Sequence, residues 1–285
     1  MKRTLSLILL AALFLVGCAP AATPTAAPTE VAVQAPTLAP TAMPPTSTPE
    51  PRTLTVFAAA SLTDAFTEIG QNFESANPGV AVTFNFAGSQ ALRTQIEEGA
   101  PADVFASANK TEMDNAIKGS FIAEDAPQIF LNNKLVVILP ADSADAVSKL
   151  EYLANPGVKI VLAAEDVPVG KYARQALDTM NGSFGSDFKD RVLANVVSNE
   201  DNVKQVVAKI QLGEADAGIV YTSDAVAAPE LKTIEIPAEL NVIAKYPIAK
   251  LTQSPNSDLA DAFIAYVLSS EGQAVLQKWG FAPPQ

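Results

Sequence analysis

The chain changes from a strand pattern to a helix pattern within Leu54-Thr-Val-Phe-Ala-Ala-Ala-Ser-Leu-Thr-Asp-Ala-Phe66, with no loop between the two. The first half of this segment is typical of a buried strand, and apolar residues then recur from Leu62 at amphipathic-helix spacing. The pattern places Ser61 at the start of that helix. The first N–H groups of a helix lack partners within it and the helix dipole is positive there, so such a turn can bind an anion. The alternative is that Ser61 is an ordinary helix cap, with Asp64 as its capping-box partner.

The same strand-to-helix design recurs three times further along the chain. Its junctions are predicted at Gly88-Ser89, Asp166-Val-Pro-Val-Gly170 and Ser198-Asn-Glu-Asp-Asn202, the last of these supplying cap residues before a helix that starts at Val203. Open α/β sheets bind ligands beyond the carboxyl ends of their strands. Four helix N-termini that face one cleft would therefore form a cage for an anion.

From Thr53 onward, short apolar runs alternate with amphipathic helices, which predicts an α/β body with largely parallel sheets. A helix is predicted from Ala144 to Leu153, and two helices close the chain. No Pro/Gly-rich linker divides the body, so two lobes would have to be joined by strands that cross between them. The candidates for crossing strands are Asn133 to Val137 and Ala244 to Ile248.

The N-terminus has the features of a bacterial lipoprotein signal. Two basic residues precede an apolar run from Leu5 to Val16, which is short for a membrane span of about 20 residues and typical of a secretory signal peptide. Leu15-Val-Gly-Cys18 resembles a lipobox, which predicts cleavage after residue 17 and a lipid on Cys18. The alternative is an ordinary signal peptide with an incidental cysteine. Cys18 is the only cysteine in the sequence, so no disulfide can form within the chain.

Proline, threonine and alanine dominate the segment that follows, up to Arg52. Such a composition has too few large apolar side chains to form a core. We interpret residues 18–52 as the lipidated cysteine and a tether that lets a folded body leave the membrane surface, with a reach of about 100 Å if it is fully polyproline-like.

The composition excludes several functions. The sequence has no histidine, which excludes a Ser/His/Asp triad, a Cys/His pair and a histidine-based zinc site. Neither a P-loop nor a Gly-x-Gly-x-x-Gly motif is present. The formal net charge of −12 gives no footprint for nucleic acid. Capping and surface roles account for the carboxylates Asp64, Asp103, Asp166, Asp201 and Asp224, so we expect a binding protein with no catalytic activity and no cofactor.

Five motifs occur in order along Thr53 to Pro283. They are Val56-Phe-Ala-Ala-Ala-Ser-Leu62, Phe86-Ala-Gly-Ser89, Gly99-Ala-Pro-Ala-Asp-Val-Phe-Ala-Ser-Ala108, Val167-Pro-Val-Gly170 and Gly218-Ile-Val-Tyr-Thr-Ser-Asp-Ala225. In this combination they resemble the periplasmic molybdate-binding proteins of ABC transporters. The resemblance implies a two-lobed periplasmic-binding-protein fold of type II. Each lobe would be a mostly parallel sheet flanked by helices, with residues 53–132 and 249–285 in lobe 1 and residues 133–248 in lobe 2.

The resemblance also implies the binding residues. In that family two serine hydroxyls, several backbone N–H groups and one tyrosine hydroxyl hold the oxyanion. Carried over by motif, the oxyanion-binding residues are Ser61, Ser89, Val169, Val203 and Tyr221, with Val169 and Val203 contributing their N–H groups. The alternatives are that Ser89 is a helix cap and that Tyr221 is a packing residue at a strand end.

The expected protein is a monomeric lipoprotein outside the cytoplasm, anchored to the membrane through Cys18. It would bind molybdate or tungstate in an interlobe cleft and deliver it to the permease of an ABC importer. These two oxyanions are nearly the same size, so the sequence does not separate them. The alternatives are a receptor for another small anion such as sulfate or for an organic solute, a membrane-tethered ligand sensor and, more remotely, a serine hydrolase that uses Ser61.

Overall fold

The structure, a computed structural model, describes residues 51–143 and 147–284. The predicted signal peptide, Cys18 and the tether up to residue 50 lie outside the described residues. β1 begins at Arg52, which is the last residue of the predicted tether. None of the described helices combines the length and the apolar character that a membrane span needs.

Helices and strands alternate along the described residues. The strands are β1 Arg52–Ala59, β2 Val80–Ala87, β3 Val104–Ala106, β4 Gln128–Leu139, β5 Ile160–Ala163, β6 Val196–Glu200, β7 Ala217–Tyr221, β8 Lys232–Glu235 and β9 Ile243–Lys250. The α-helices are α1 Thr63–Ala76, α2 Ser89–Glu97, α3 Lys110–Lys118, α4 Pro168–Phe184, α5 Phe188–Ala194, α6 Val203–Gln211, α7 Thr222–Ala227, α8 Ser257–Leu268 and α9 Ser270–Lys278. Short 3-10 helices span Ala60–Leu62 and Leu150–Ala154.

The strands lie in the order β2-β1-β3-β9-β4-β7-β5-β6, and β8 also pairs with β4. The long strand β4 is shared, since its beginning pairs with β9 and its end pairs with β7 and β8. We call β1, β2, β3, β9 and the beginning of β4, with α1, α2, α3, α8 and α9, the first half. The end of β4 and β5 to β8, with α4 to α7, form the second half.

Parallel strands lie at the outer part of each half, and antiparallel strands join the halves. β1 pairs in parallel with β2 and β3, and β5 does so with β6 and β7. The strands predicted to cross between lobes pair directly, with Asn133 opposite Ala244 and Lys134 opposite Ile243. The predicted α/β class with crossing strands is confirmed, while the lobe boundaries in the chain stay a prediction.

The core of the first half fixes where α1 begins. Leu54 and Val56 of β1 are fully buried, as are Phe66 and Ile69 of α1. The Phe66 ring lies 5.8 to 6.1 Å from three other phenylalanine rings, those of Phe84, Phe130 and Phe263. Burying a large apolar side chain contributes about 1.5 to 3 kcal/mol, so this packing holds the first turn of α1 firmly at the end of β1.

Two local predictions are wrong. The helix predicted from Ala144 to Leu153 is partly outside the described residues, and its remainder is bends followed by the 3-10 helix Leu150–Ala154. Lys149 has extended backbone angles, so an α-helix cannot continue through it. The helix-capping interpretation of the segment Ser198 to Asn202 is right for Asn202, which caps α6, and wrong for Ser198 to Glu200, which belong to β6 and pair with β5.

Candidate functional site

A small cavity lies between the two halves, and all five predicted oxyanion-binding residues line it. Its volume, counted as the space open to the centre of a water molecule, is about 10 Å³. The first half contributes Ala59, Ala60, Ser61, Ala87, Gly88, Ser89 and Ala108, and the second half contributes Val167, Pro168, Val169, Asn202, Val203 and Tyr221. None of these described lining residues carries a charge.

Four helix starts meet at this cavity. Each follows one of the parallel strands β1, β2, β5 and β6. α2 begins at Ser89, α4 at Pro168 and α6 at Val203. The fourth is the 3-10 helix Ala60–Leu62, which runs into α1. The N–H groups in a first helical turn have no partner within the helix, and the dipole there is positive. The cavity is therefore favourable for an anion without any basic side chain.

Ser61 does not cap α1. The residue before that helix is Leu62, and no side chain makes a capping hydrogen bond there. The Ser61 hydroxyl lies 2.9 Å from the Tyr246 hydroxyl instead, and Asp64 pairs with Lys204. The capping alternative is therefore wrong, and Ser61 lines the cavity with only 5% of its surface exposed.

Ser89 is the first residue of α2 and is almost fully buried. No side-chain cap is present at this helix, because the residue before it is Gly88. The Ser89 hydroxyl accepts a hydrogen bond of 3.0 Å from the Ala108 N–H. A serine hydroxyl has one donor and two acceptor positions, so this bond leaves the O–H of Ser89 able to donate to a ligand.

Tyr221, at the end of β7, is the strongest structural sign of a ligand. Its side chain is buried, and its hydroxyl has no hydrogen-bond partner among the described residues. Its ring packs edge-on against the Tyr246 ring at 5.8 Å. Burial raises the pKa of Tyr221 well above its usual value, so the phenol stays a neutral donor. An unsatisfied buried hydroxyl costs about 1 to 3 kcal/mol, which a ligand that accepts its hydrogen bond would recover.

Two further side chains support these residues, and sequence reasoning missed the role of the first, Tyr246. Tyr246 lies in β9 and contacts both Ser61 and Tyr221. Asp224 is fully buried, and its Oδ2 accepts the Tyr221 N–H at 3.2 Å. Burial raises the pKa of Asp224 to about 7. Of its two expected roles, capping is right and a surface position is wrong; the spacing Tyr221-Thr-Ser-Asp224 is that of a capping box and could have indicated the first.

Comparisons with known proteins identify the family. The model of the family described as bacterial extracellular solute-binding protein matches residues 54–282. The molybdate-binding protein ModA of Mycobacterium tuberculosis H37Rv is 38% identical over 234 residues, which cover 82% of this chain and 85% of that protein.

The solved structures similar to this chain include the following two. One is the substrate binding domain of a putative molybdenum ABC transporter from Clostridium difficile, with 32% identity, a TM-score of 0.62 and coverage of 82% of this chain and 100% of that one. The other is the Azotobacter vinelandii periplasmic molybdate-binding protein, with 20% identity, a TM-score of 0.71 and coverage of 81% and 100%. The second likeness confirms the periplasmic-binding-protein fold. The chain belongs to the family of bacterial extracellular solute-binding proteins.

Proposed function

We propose that the protein captures molybdate or tungstate outside the cytoplasm and delivers it to an ABC importer. The observation that carries the proposal is the uncharged cavity between four helix starts, in which the buried hydroxyl of Tyr221 has no hydrogen-bond partner. The ModA relatives, named as molybdate-binding proteins, support the identity of the anion. The likeness to a molybdenum transporter domain supports delivery to an ABC importer.

The lining residues offer donors on several sides of a bound tetrahedral anion. The hydroxyls of Ser61, Ser89 and Tyr221 and the N–H groups of Ser61, Ser89, Val169 and Val203 would share its oxygens. With Tyr246 donating to Ser61 across 2.9 Å, the proton of Ser61 is free to point to the anion. Neutral donors are less costly to bury than a lysine or arginine.

The proton content of the ligand and its size would set the selectivity. A cage made of donors favours a fully deprotonated dianion, because hydrogenphosphate brings a proton that needs an acceptor. A cavity this small favours a compact ion over an organic solute of many atoms. Sulfate has the charge and shape of molybdate but shorter bonds, so the dimensions of the cavity must reject it.

Titration calorimetry of the chain from residue 19 with molybdate, tungstate and sulfate tests the proposal. We expect one molybdate or tungstate per chain, and we expect a large excess of sulfate to leave that binding unchanged. Ligand should also raise the melting temperature, because it binds the folded state alone. Heat with sulfate and none with the other two would overturn the assignment.

Replacing Tyr221 with phenylalanine should weaken molybdate binding by about 1 to 3 kcal/mol, the cost of leaving a buried acceptor unpaired. The unliganded variant should be at least as stable as wild type, because the hydroxyl that is removed has no partner. Calorimetry and thermal unfolding measure the two effects. Ser89→Ala should weaken binding similarly but also lower stability, since the Ala108 N–H loses its acceptor.

The half-exposed Tyr152 provides the matched control, because it lies in the 3-10 helix Leu150–Ala154 and does not line the cavity. Tyr152→Phe should change neither affinity nor stability. Equal affinities for wild type and Tyr221→Phe would remove Tyr221 from the site.

The membrane anchor, the permease partner and binding without catalysis are also part of the proposal. The lipobox at Cys18 supports an anchor in the cell membrane, with the tether letting a monomeric body reach the permease. The absence of histidine from the sequence and the solute-binding family support binding without catalysis. Mass spectrometry of the protein from membranes tests the anchor, since a lipidated N-terminal Cys18 is expected and an unmodified chain that begins elsewhere would contradict it.

A further inference from the structure

Lys204 links the two halves of the protein beside the cavity. Its Nζ lies 2.6 Å from Oδ2 of Asp64, in the first turn of α1, and 3.6 Å from Oδ1 of Asp224, in α7. Lys204 itself is in the first turn of α6, which packs on β5 and β7 of the second half, whereas α1 packs on β2 of the first half. The ion pair between Lys204 and Asp64 therefore spans the cleft.

This ion pair differs from the others in the described part of the chain, which join groups within one half, within one helix or, for Lys134 and Glu235, the shared strand β4 and its neighbour β8. Lys209 shows the contrast, since it is also in α6 and is exposed to the same extent as Lys204, at 30%. Its partner is Glu200 of β6, at 2.9 Å, in the same half. The two lysines thus share a helix and an exposure and differ in whether their partner lies across the cleft.

Lys204, Asp64 and Asp224 are each within three positions of a cavity residue in the chain. Lys204 follows Val203, Asp64 comes three residues after Ser61, and Asp224 comes three residues after Tyr221 and accepts its N–H. The ion pair holds the N-terminus of α6 next to the first turn of α1. It therefore also holds the donors contributed by the two halves near one another.

Two hydrogen bonds that are not ion pairs also cross the cleft between described residues. Gln90 Nε2 donates to the Asp201 carbonyl at 3.1 Å, and Lys171 Nζ donates to the Thr111 hydroxyl at 3.3 Å. Both contacts are longer than the contact of Lys204 with Asp64. Lys204 also faces Asp224, whose Oδ1 is buried and has no hydrogen-bond partner among the described residues.

We propose that Lys204 is a positioning residue that ties the two halves together around the bound anion through its ion pair with Asp64, while Asp224 faces Lys204 from within the same half. The inference rests on the proposed function, because it assigns to Lys204 the retention of the anion that the cavity binds. This tie, the ion pair between Lys204 and Asp64, forms when the two halves are together. It therefore slows dissociation of the anion and has little effect on its association rate. Lys204 does not line the cavity, and its effect is exerted through the placement of Val203, Ser61 and Tyr221.

The test uses the chain from residue 19 and measures how fast bound radioactive molybdate is released into excess unlabelled molybdate. Lys204→Gln should release the anion about tenfold faster and change its association rate less than twofold. Asp64→Asn should speed release by a smaller factor. Combining the two should be no worse than Lys204→Gln alone, since residues in one ion pair act non-additively. Lys204→Arg should retain slow release.

Lys209→Gln is the matched control and should release the anion within twofold of the wild-type rate. Equal effects of Lys204→Gln and Lys209→Gln on the release rate would overturn the tie. Fully additive effects of Lys204→Gln and Asp64→Asn on that rate would also overturn it, as would an effect of Lys204→Gln confined to the association rate. A wild-type chain that binds neither molybdate nor tungstate would overturn the proposed function and the tie with it. Wild-type binding with unchanged release from Lys204→Gln would overturn the tie alone.

Discussion

Gly88→Ala should weaken anion binding by about 5- to 150-fold while leaving the unliganded protein about as stable as wild type. An added Cβ at Gly88 would lie 2.6 Å from the carbonyl oxygen of Asp201, which belongs to the other half, and 2.5 Å from Gln90 Oε1. The Gln90 side chain can move away, but the Asp201 backbone carbonyl can give way only if the halves separate. Overpacking of this kind costs about 1 to 3 kcal/mol, and 1.4 kcal/mol is a factor of ten in affinity.

The backbone of Gly88 itself does not require glycine. Its φ of −59° and ψ of 138° are ordinary for alanine, so the clash across the cleft is the expected reason for any loss. Calorimetry gives the affinity, and thermal unfolding without ligand gives the stability.

Gly182 of α4 provides the control, because an added Cβ there meets no atom within 4 Å. Gly182→Ala should leave affinity unchanged and raise stability by up to about 1 kcal/mol, the usual gain for alanine over glycine in a helix. Wild-type affinity in Gly88→Ala would show that the two halves need not approach this closely to bind the anion.

Asp224→Asn should be more stable than wild type at pH 8 by a few kcal/mol, and the difference should shrink to nothing near pH 4. Burial raises the pKa of Asp224 to about 7, although Lys204 and the Tyr221 N–H act against the shift. In the unfolded chain an aspartate has a pKa of about 3.9, and one pKa unit corresponds to about 1.4 kcal/mol.

The direction of this pH dependence follows from whether the folded or the unfolded chain holds the proton. Between about pH 4 and pH 7 the folded protein keeps the proton on Asp224 and the unfolded chain has released it, so the free energy of unfolding falls as pH rises. Asparagine carries no such proton and can still accept the Tyr221 N–H. Urea unfolding of both proteins at pH 5, 6, 7 and 8 measures the difference.

Asp258 provides a comparison, because its pKa is shifted in the opposite direction from that of Asp224. Hydrogen bonding to Arg52 lowers the pKa of Asp258 to about 2, so its charge favours the folded state at neutral pH. Asp258→Asn should therefore be the less stable protein at pH 7. A gap between Asp224→Asn and wild type that stays the same from pH 5 to pH 8 would contradict a raised pKa of Asp224.

Local patterns were sufficient to predict where the site would be built. The apolar periodicity from Leu62 and the cap residue Asn202 identify two of the four helix starts, because each reports backbone preferences within a few residues. The same patterns failed where spacing alone is ambiguous. Buried residues three apart, such as Leu150 and Leu153, fit a single 3-10 turn as well as an α-helix.

The supporting contacts could not be predicted because they join residues far apart in the chain. The hydroxyls of Ser61 and Tyr246 meet across 185 positions, and Lys204 meets Asp64 across 140. A serine before a helix is typical of a cap, and nothing near Ser61 in sequence shows that a tyrosine takes its hydroxyl. Asp224 likewise matches a helix cap locally, and its complete burial depends on the packing of β4, β7 and α6 around it.

An uncharged cavity within an acidic chain affects how the anion arrives. The protein carries 31 acidic and 19 basic residues, so a dianion in the surrounding solution is repelled before it reaches the donors. Dissolved salt screens that field over about 8 Å at physiological ionic strength, so association becomes faster as ionic strength rises. A binding site surrounded by basic side chains has the reverse dependence of association rate on ionic strength, because it attracts every anion nearby. Abundant anions that do not fit are therefore not concentrated at the mouth of this cavity, and a scarce oxyanion meets little competition there.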